Sequence, residues 1–420
     1  MDSERGYFRN VSSQRLILYG VILVSVIVAV ILVFTLLLSG NESTPKPAEF
    51  VGRDVLKDVA LVDGYNNLPV SLWYQLSGKI NDFKFNQDLS KDASLTWLKT
   101  DIPRLKQGMV GCQIWTAKSR CTSQLKDSVA STIQQIDAIT RLNRKFKDDM
   151  KIVYNSEDIN QIFKDGKIGS ILSIDGGHSI DNKLSVLRTY YALGVRYITL
   201  TSECNTPWST SYTTDSKNDL TSFGEKVIEE MNRVGMIIDL YQSSEATQKK
   251  VLEKSKAPVI FSSVATWYHK EVLPNIKNDV LDLIKKNNGL VMITFNPDYM
   301  LKKKGDTVTI ENVVEQINYI RDKIGVDYIG IGSGFGTSSS AIQGLEDSSK
   351  FPALFDRLAK PQNKEPKWVK EDLEKLAGLN FLRVFQEVEK VRDKNGNTIE
   401  DIIPDDDLKT LDHRCYSDMK

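Results

Sequence analysis

The sequence predicts an α/β protein whose ectodomain is a TIM-like (β/α)8 barrel, preceded by a single transmembrane helix. Two observations carry this expectation. Residues 16–39, "LILYGVILVSVIVAVILVFTLLLS", form a run without a charge. Beyond them, eight short apolar runs alternate with amphipathic helical segments. Strand–helix alternation is the pattern of a parallel sheet.

The uncharged run comprises 24 residues. At about 1.5 Å per residue it spans a hydrocarbon core of roughly 30 Å. A secretory leader has a shorter apolar region and a small-residue cleavage site, and no such site follows here. Arg5, Arg9 and Arg15 precede the run, while Lys46 is the only basic residue soon after it. That asymmetry predicts a cytoplasmic amino terminus and a type II topology. The expected membrane is the plasma membrane or one of the secretory pathway, with the barrel extracellular or lumenal. Residues 1–15 are then a cytoplasmic stub and residues 40–54 a stalk with Pro45 and Pro47. Asn41-Glu-Ser is a glycosylation sequon on the lumenal side, whereas Asn10-Val-Ser lies on the wrong side. The polar end, residues 393–420, carries no GPI signal.

The barrel is expected over residues 55–392. Its apolar runs are 58–63, 108–115, 168–175, 195–201, 235–240, 258–263, 289–296 and 326–332. Helical segments follow most of them, at 122–146, 183–193, 222–234, 244–254, 277–287 and 311–324. A terminal helix is expected at 367–390, with Leu373, Leu376, Phe381, Val384 and Phe385 as its apolar positions. A doubly wound open sheet is the alternative, and the count of eight favours the barrel.

Composition narrows the function classes. Lys+Arg and Asp+Glu both number 55, so no basic bias points to nucleic acid. There are three histidines, His178, His269 and His413, far apart in sequence, which argues against an imidazole-rich metal site. The cysteines, Cys112, Cys121, Cys204 and Cys415, show no zinc-finger spacing.

In such a barrel the chemistry sits at the carboxyl ends of the strands. Those ends read Tyr65 and Asn67, Gln113, Asp175, Ser202 and Glu203, Gln242, Ser263, Asn296, Gly334 and Gly336. Asp175 and Glu203 are the only carboxylates. Neither a tuned general acid–base pair nor a zinc ligand set is evident. Ser202, Ser263 and Gln242 have no histidine near them in sequence to make a nucleophile. His178, between two glycines and a serine, reads as a hydrogen-bonded structural residue.

The stretches "LVDGYNNLP", "GMVGCQIW", "SIDGGHSI", "LRTYYALGVRYITLTSECNTPW", "GMIIDL", "PVIFSS", "GVDYIGIGSGFG", "GLEDSSKFPALFDRL" and "GLNFLRVF" fall in order over the ectodomain. Through them the chain resembles the membrane (renal) dipeptidase family, peptidase family M19. The resemblance implies a (β/α)8 barrel that elsewhere holds two zinc ions. It also places the family's metal-ligand positions on Tyr65, Asn67, Asp175, Gln242 and Ser263. Catalytic positions fall on Ser202, Gly334 and Gly336, and the substrate-binding arginine on Pro274. Only Asp175 keeps a ligand-type group, one methylene shorter than the family's glutamate. The resemblance further implies a Cys121–Cys204 disulfide, a buried free Cys112 and a homodimer.

These expectations point to a pseudoenzyme with no zinc or other cofactor, acting on the cell surface as a binding or scaffold protein for an unidentified extracellular protein or peptide. An active zinc-dependent dipeptidase is the first alternative. The second is a pocket that binds a peptide or small molecule without hydrolysis, enlarged at Gly334 and Gly336 and contacted by Tyr65 and Gln242.

Overall fold

A computed structural model describes residues 7–38, 51–214, 220–268, 270–271, 274–301, 303, 306–338, 340–362 and 364–395. Asn41, His269, His413 and Cys415 lie outside them, as do most of the stalk and tail. Two compact units divide the chain, 1–50 and 51–420.

The first unit is a helix, Tyr7–Leu38. Its Arg15–Thr35 portion is long and apolar enough to cross a membrane. The Ser25 hydroxyl donates to the Val21 carbonyl at 2.5 Å and that of Thr35 to Ile31 at 2.9 Å. These polar groups are therefore satisfied within the helix, as a lipid environment requires.

Among the described residues, the second unit is built on nine parallel strands. They are β1 (Leu61–Asp63), β2 (Val110–Lys118), β3 (Met150–Ile152), β4 (Ile168–Asp175) and β5 (Val195–Thr199), then β6 (Ile237–Asp239), β7 (Ile260–Val264), β8 (Leu290–Ile293) and β9 (Ile329–Ile331). Eight of them close into a barrel in the order β1-β2-β4-β5-β6-β7-β8-β9, and β9 pairs back onto β1. The remaining strand, β3, was not anticipated. It pairs with the first residues of β4, Ile168 to Ser170, and leaves the edge of β4 to β5 from Leu172 onwards. Its Met-Lys-Ile sequence is too short and too mixed to stand out as a buried strand.

Helices cover the barrel where the periodicity placed them, for example Ser128–Lys145, Ser222–Val234, Asn278–Asn287 and Ile310–Ile324. The carboxyl-terminal helix runs through Lys370–Glu374, a widened turn at Lys375–Leu379 and Asn380–Asn395. The widened turn brings Gly378 against Ala60, whose carbonyl oxygen would lie 2.2 Å from a side chain there. Beyond it Phe381, Val384, Phe385 and Val388 pack with Val62, Cys112, Ile171 and Ile260 into one buried cluster.

Strand alternation decides what lies above that cluster. On β2 the face of Cys112 and Ile114 continues to Thr116 and Lys118; on β4 the face of Ile171 continues to Ser173 and Asp175. Parallel register sets Thr116 beside Ser173 and Lys118 beside Asp175. The Ser173 hydroxyl donates to Thr116 Oγ1 at 3.0 Å. The inward column thus rises from apolar, through hydroxyl, to charged.

The second strand corrects one expectation. Gln113 was expected at a carboxyl end, but β2 runs on to Lys118. Gln113 lies inside the strand, fully buried, and donates from Nε2 to Asp63 Oδ2 at 2.9 Å. The true end of the strand is a lysine.

Candidate functional site at the barrel mouth

Tyr65, two residues beyond β1, crosses the mouth to Asp175 at the end of β4. Its hydroxyl donates to Asp175 Oδ2 at 2.5 Å. The Tyr65 ring meets that of Tyr241 edge-on at 5.4 Å, and Tyr241 and Tyr299 join their hydroxyls at 3.0 Å. Burial, and then the Asp175 charge, push the Tyr65 phenol well above its ordinary pKa. It stays protonated and acts as a donor.

Lys118 reaches the same carboxylate oxygen. Its Nζ lies 3.4 Å from Asp175 Oδ2 and 3.2 Å from Glu203 Oε1. Burial works against the ammonium, yet Asp175 and Glu203 together outweigh it and hold its pKa above the ordinary lysine value. The lysine side chain is 19% exposed and that of Glu203 61%. Glu203 is therefore an outer partner of Lys118, not an inner carboxylate.

The other expected positions surround this centre. Ser202 is buried after β5, and its Oγ has no hydrogen-bond partner among the described residues. The same holds for Asn67 Oδ1, Gln242 Oε1 and Asp175 Oδ1. Gln242 holds a left-handed backbone, φ 62°, while its carbonyl accepts from Thr201 Oγ1 at 3.0 Å. Ser263 is engaged elsewhere: its hydroxyl donates to the Gly332 carbonyl at 2.8 Å and lies 3.0 Å from Thr294 Oγ1. Asn296 caps a short turn by accepting from the Asp298 amide at 3.0 Å. Pro274 is buried in the loop after β7, where a proline offers no hydrogen-bond donor.

Gly334 and Gly336 lie in the loop after β9. Both hold positive φ, 71° and 90°. A side chain at 334 would come within 2.8 Å of Ser263 Oγ, and one at 336 within 3.2 Å of Asn67 Cβ. The cavity beside them measures about 10 Å³, room for roughly one water.

His178 is buried, and its Nε2 sits 3.1 Å from Ser119 Oγ and 3.2 Å from the Ser119 carbonyl. Burial lowers its pKa below the ordinary histidine value. Cys121, just past β2, is bonded to Cys204, just past β5, with Cα atoms 5.9 Å apart. The disulfide ties the loop after Lys118 to the loop of Ser202 and Glu203. Cys112 is buried and free.

Sequence reasoning missed Lys118. The signal was present in the period-two pattern of β2, which runs Cys112, Ile114, Thr116, Lys118 on one face. Ending the strand at Trp115 concealed it.

Comparison with known proteins agrees with this architecture. The chain is 38% identical over 347 residues to Dipeptidase 3 of Rattus norvegicus, covering 81% of this chain and 67% of that protein. It is 37% identical over 363 residues to Dipeptidase 3 of Homo sapiens, covering 84% and 71%. Among solved structures, the probable dipeptidase PvdM from Pseudomonas aeruginosa superposes with a TM-score of 0.70 at 19% identity, covering 81% of this chain and 98% of its own. A metallo peptidase from Rhodobacter sphaeroides, liganded with a phosphinate mimic of the dipeptide L-Ala-D-Ala, gives 0.68 at 17% identity, covering 79% and 99%. A family model described as membrane dipeptidase (peptidase family M19) matches residues 51–398, and with the curated relatives it shows that the chain belongs to the membrane dipeptidase family, peptidase family M19.

Proposed function

We propose that this chain is a membrane-anchored, metal-free member of its family that does not hydrolyse dipeptides and serves at the cell surface as a binding or scaffold protein. The observation that carries the reading is the state of Asp175. It faces the inner mouth, in register through Thr199 with the buried Asp239 of β6, and a phenol and an ammonium already engage it.

Family membership implies two zinc ions, so the donor set was tested against them. Zinc takes imidazole, thiolate or carboxylate donors. The inner mouth offers a phenol, carboxamides, hydroxyls and two carboxylates, Asp175 and Asp239, the second already taken up by the hydroxyls of Ser262 and Thr199. Among the described residues no three His, Cys, Asp or Glu side chains converge to hold a metal ion. These residues do not fit a binuclear zinc centre. Without such a centre no bound water has its pKa brought towards neutrality.

The rest of the proposal follows the flanks of the apolar helix. Arg5, Arg9 and Arg15 on its amino-terminal side support a type II orientation, with Asn41 glycosylated on the far side and residues 55–392 as the barrel domain. A homodimer in a plasma or secretory-pathway membrane is the proposed assembly, with an extracellular protein or peptide as its partner.

The test is a hydrolysis assay on the detergent-solubilised full chain, using a panel of dipeptides with zinc added. No release of amino acids above the no-protein blank is expected. Hydrolysis that a chelator abolishes would establish the chain as an active dipeptidase, the reading its relatives' names favour.

A further inference from the structure

We propose that Lys118 is a tethered cation that replaces metal charge at the barrel mouth, and that it excludes zinc independently of the missing ligands. This inference rests on the metal-free reading above and deepens it.

Three features of the molecule converge on the lysine. First, the register of β2 against β4 makes Lys118 the direct neighbour of Asp175, and strand alternation turns both inward. Second, its ammonium lies 3.4 Å from Asp175 Oδ2. That oxygen has two donors, Tyr65 and Lys118, while Oδ1 has none among the described residues. The carboxylate is thus neutralised on one side by groups of the chain itself. Third, the side chain is held from above by Glu203 at 3.2 Å, and the Glu203 loop is fastened to the Lys118 loop by the Cys121–Cys204 disulfide. The lysine is braced at both ends and cannot simply swing out to solvent without losing both carboxylates.

Coulomb's law gives the consequence. A divalent ion coordinated to Asp175 would sit within a few ångströms of a fixed positive charge in a largely buried site, where repulsion is screened far less than in water. Zinc would have to displace the ammonium from Asp175. Restoring the ligands alone therefore leaves zinc weakly held, because a positive charge already sits on that carboxylate.

The experiment compares two full-length chains. One carries Tyr65→His, Asn67→Asp, Asp175→Glu, Gln242→His and Ser263→His. The other carries these and Lys118→Met. Zinc per chain is measured by mass spectrometry after equilibration with a zinc buffer, and affinity by competition with a chromogenic chelator. The proposal expects at least a tenfold weaker zinc affinity in the chain that keeps Lys118. Equal zinc content and affinity in the two chains overturns it. Zinc bound by the unsubstituted protein would instead sink the metal-free reading itself.

The restored chains carry five substitutions in a packed region and can fail to fold or to take up zinc. A double-mutant cycle then decides, using Lys118→Met, Asp175→Asn and their combination in the otherwise unsubstituted chain. The proposal expects the combined variant to lose less thermal stability than the two single losses added, because each single change strands the other's charge. Strict additivity overturns it. As a control on the charge itself, Lys118→Arg should retain more stability than Lys118→Met.

Discussion

Raising the pH from about 5 to 7.5 lowers the unfolding free energy of the barrel by roughly 3 kcal/mol through two buried carboxyls, and Asp63→Asn removes about half of that loss. Asp63 and Asp239 lie at the ends of β1 and β6, both fully buried. Burial pushes each up to about 6, although hydrogen bonds from Ser333 and Gln113 to Asp63, and from Ser262 to Asp239, pull the other way. For an acid whose folded pKa is raised, the folded state holds its proton more tightly than the unfolded one. Its contribution is complete below the ordinary carboxyl value and disappears as the pH climbs through about 6.

Two other groups bear on the same window. His178, lowered by burial, works in the opposite sense: its contribution is present above the ordinary histidine value and is lost as the pH falls below it. Paired surface carboxyls such as Glu245, Asp279 and Glu365 are held below their ordinary values by lysine or arginine partners, so they act only in more acidic solution. Comparing wild type with Asp63→Asn cancels these terms. Gln113 has a buried Oε1 with no partner, so its amide can turn to accept from the new amide. Denaturant unfolding at the two pH values should show the gap between wild type and variant closing by about 1 kcal/mol as the pH rises. A gap that does not change with pH would mean Asp63 is already ionised throughout.

Breaking the Cys121–Cys204 bond is the second large effect. The bond closes a loop with a sequence separation of 83 residues. Loop-closure entropy then gives about 4 kcal/mol of stabilisation through the unfolded state. The double substitution Cys121→Ser with Cys204→Ser should lose that amount in a denaturant titration. A reductant should reproduce the loss in the wild type and add nothing in the variant. A loss well below about 1 kcal/mol would show that the two loops are held by packing alone, without help from chain entropy.

Much of the barrel was legible because its interior strands are buried on both faces and so read as short apolar runs, such as Ile168–Asp175 and Leu290–Ile293. The helices were legible from their amphipathic period. What escaped was β3, three residues long, and the last turnings of β2, where Thr116 and Lys118 break the apolar pattern although they face inward. The candidate site divides the same way. Tyr65 and Asp175 could be named from their strand ends, but they are separated by 110 positions. Nothing in the linear sequence announces that the tyrosine hydroxyl meets the aspartate. Nor does the sequence show that Gly334 and Gly336 hold a left-handed backbone, φ 71° and 90°, against Ser263 and Asn67.

These features converge on one proposal: a hydrogen-bonded, charge-balanced network of Tyr65, Asp175 and Lys118 stands at the inner mouth in place of metal. The most direct test is the zinc content of the purified full-length protein, expressed with zinc in the medium and dialysed against metal-free buffer. The account predicts zinc near zero per chain. About two zinc ions per chain, removable by a chelator, would contradict it.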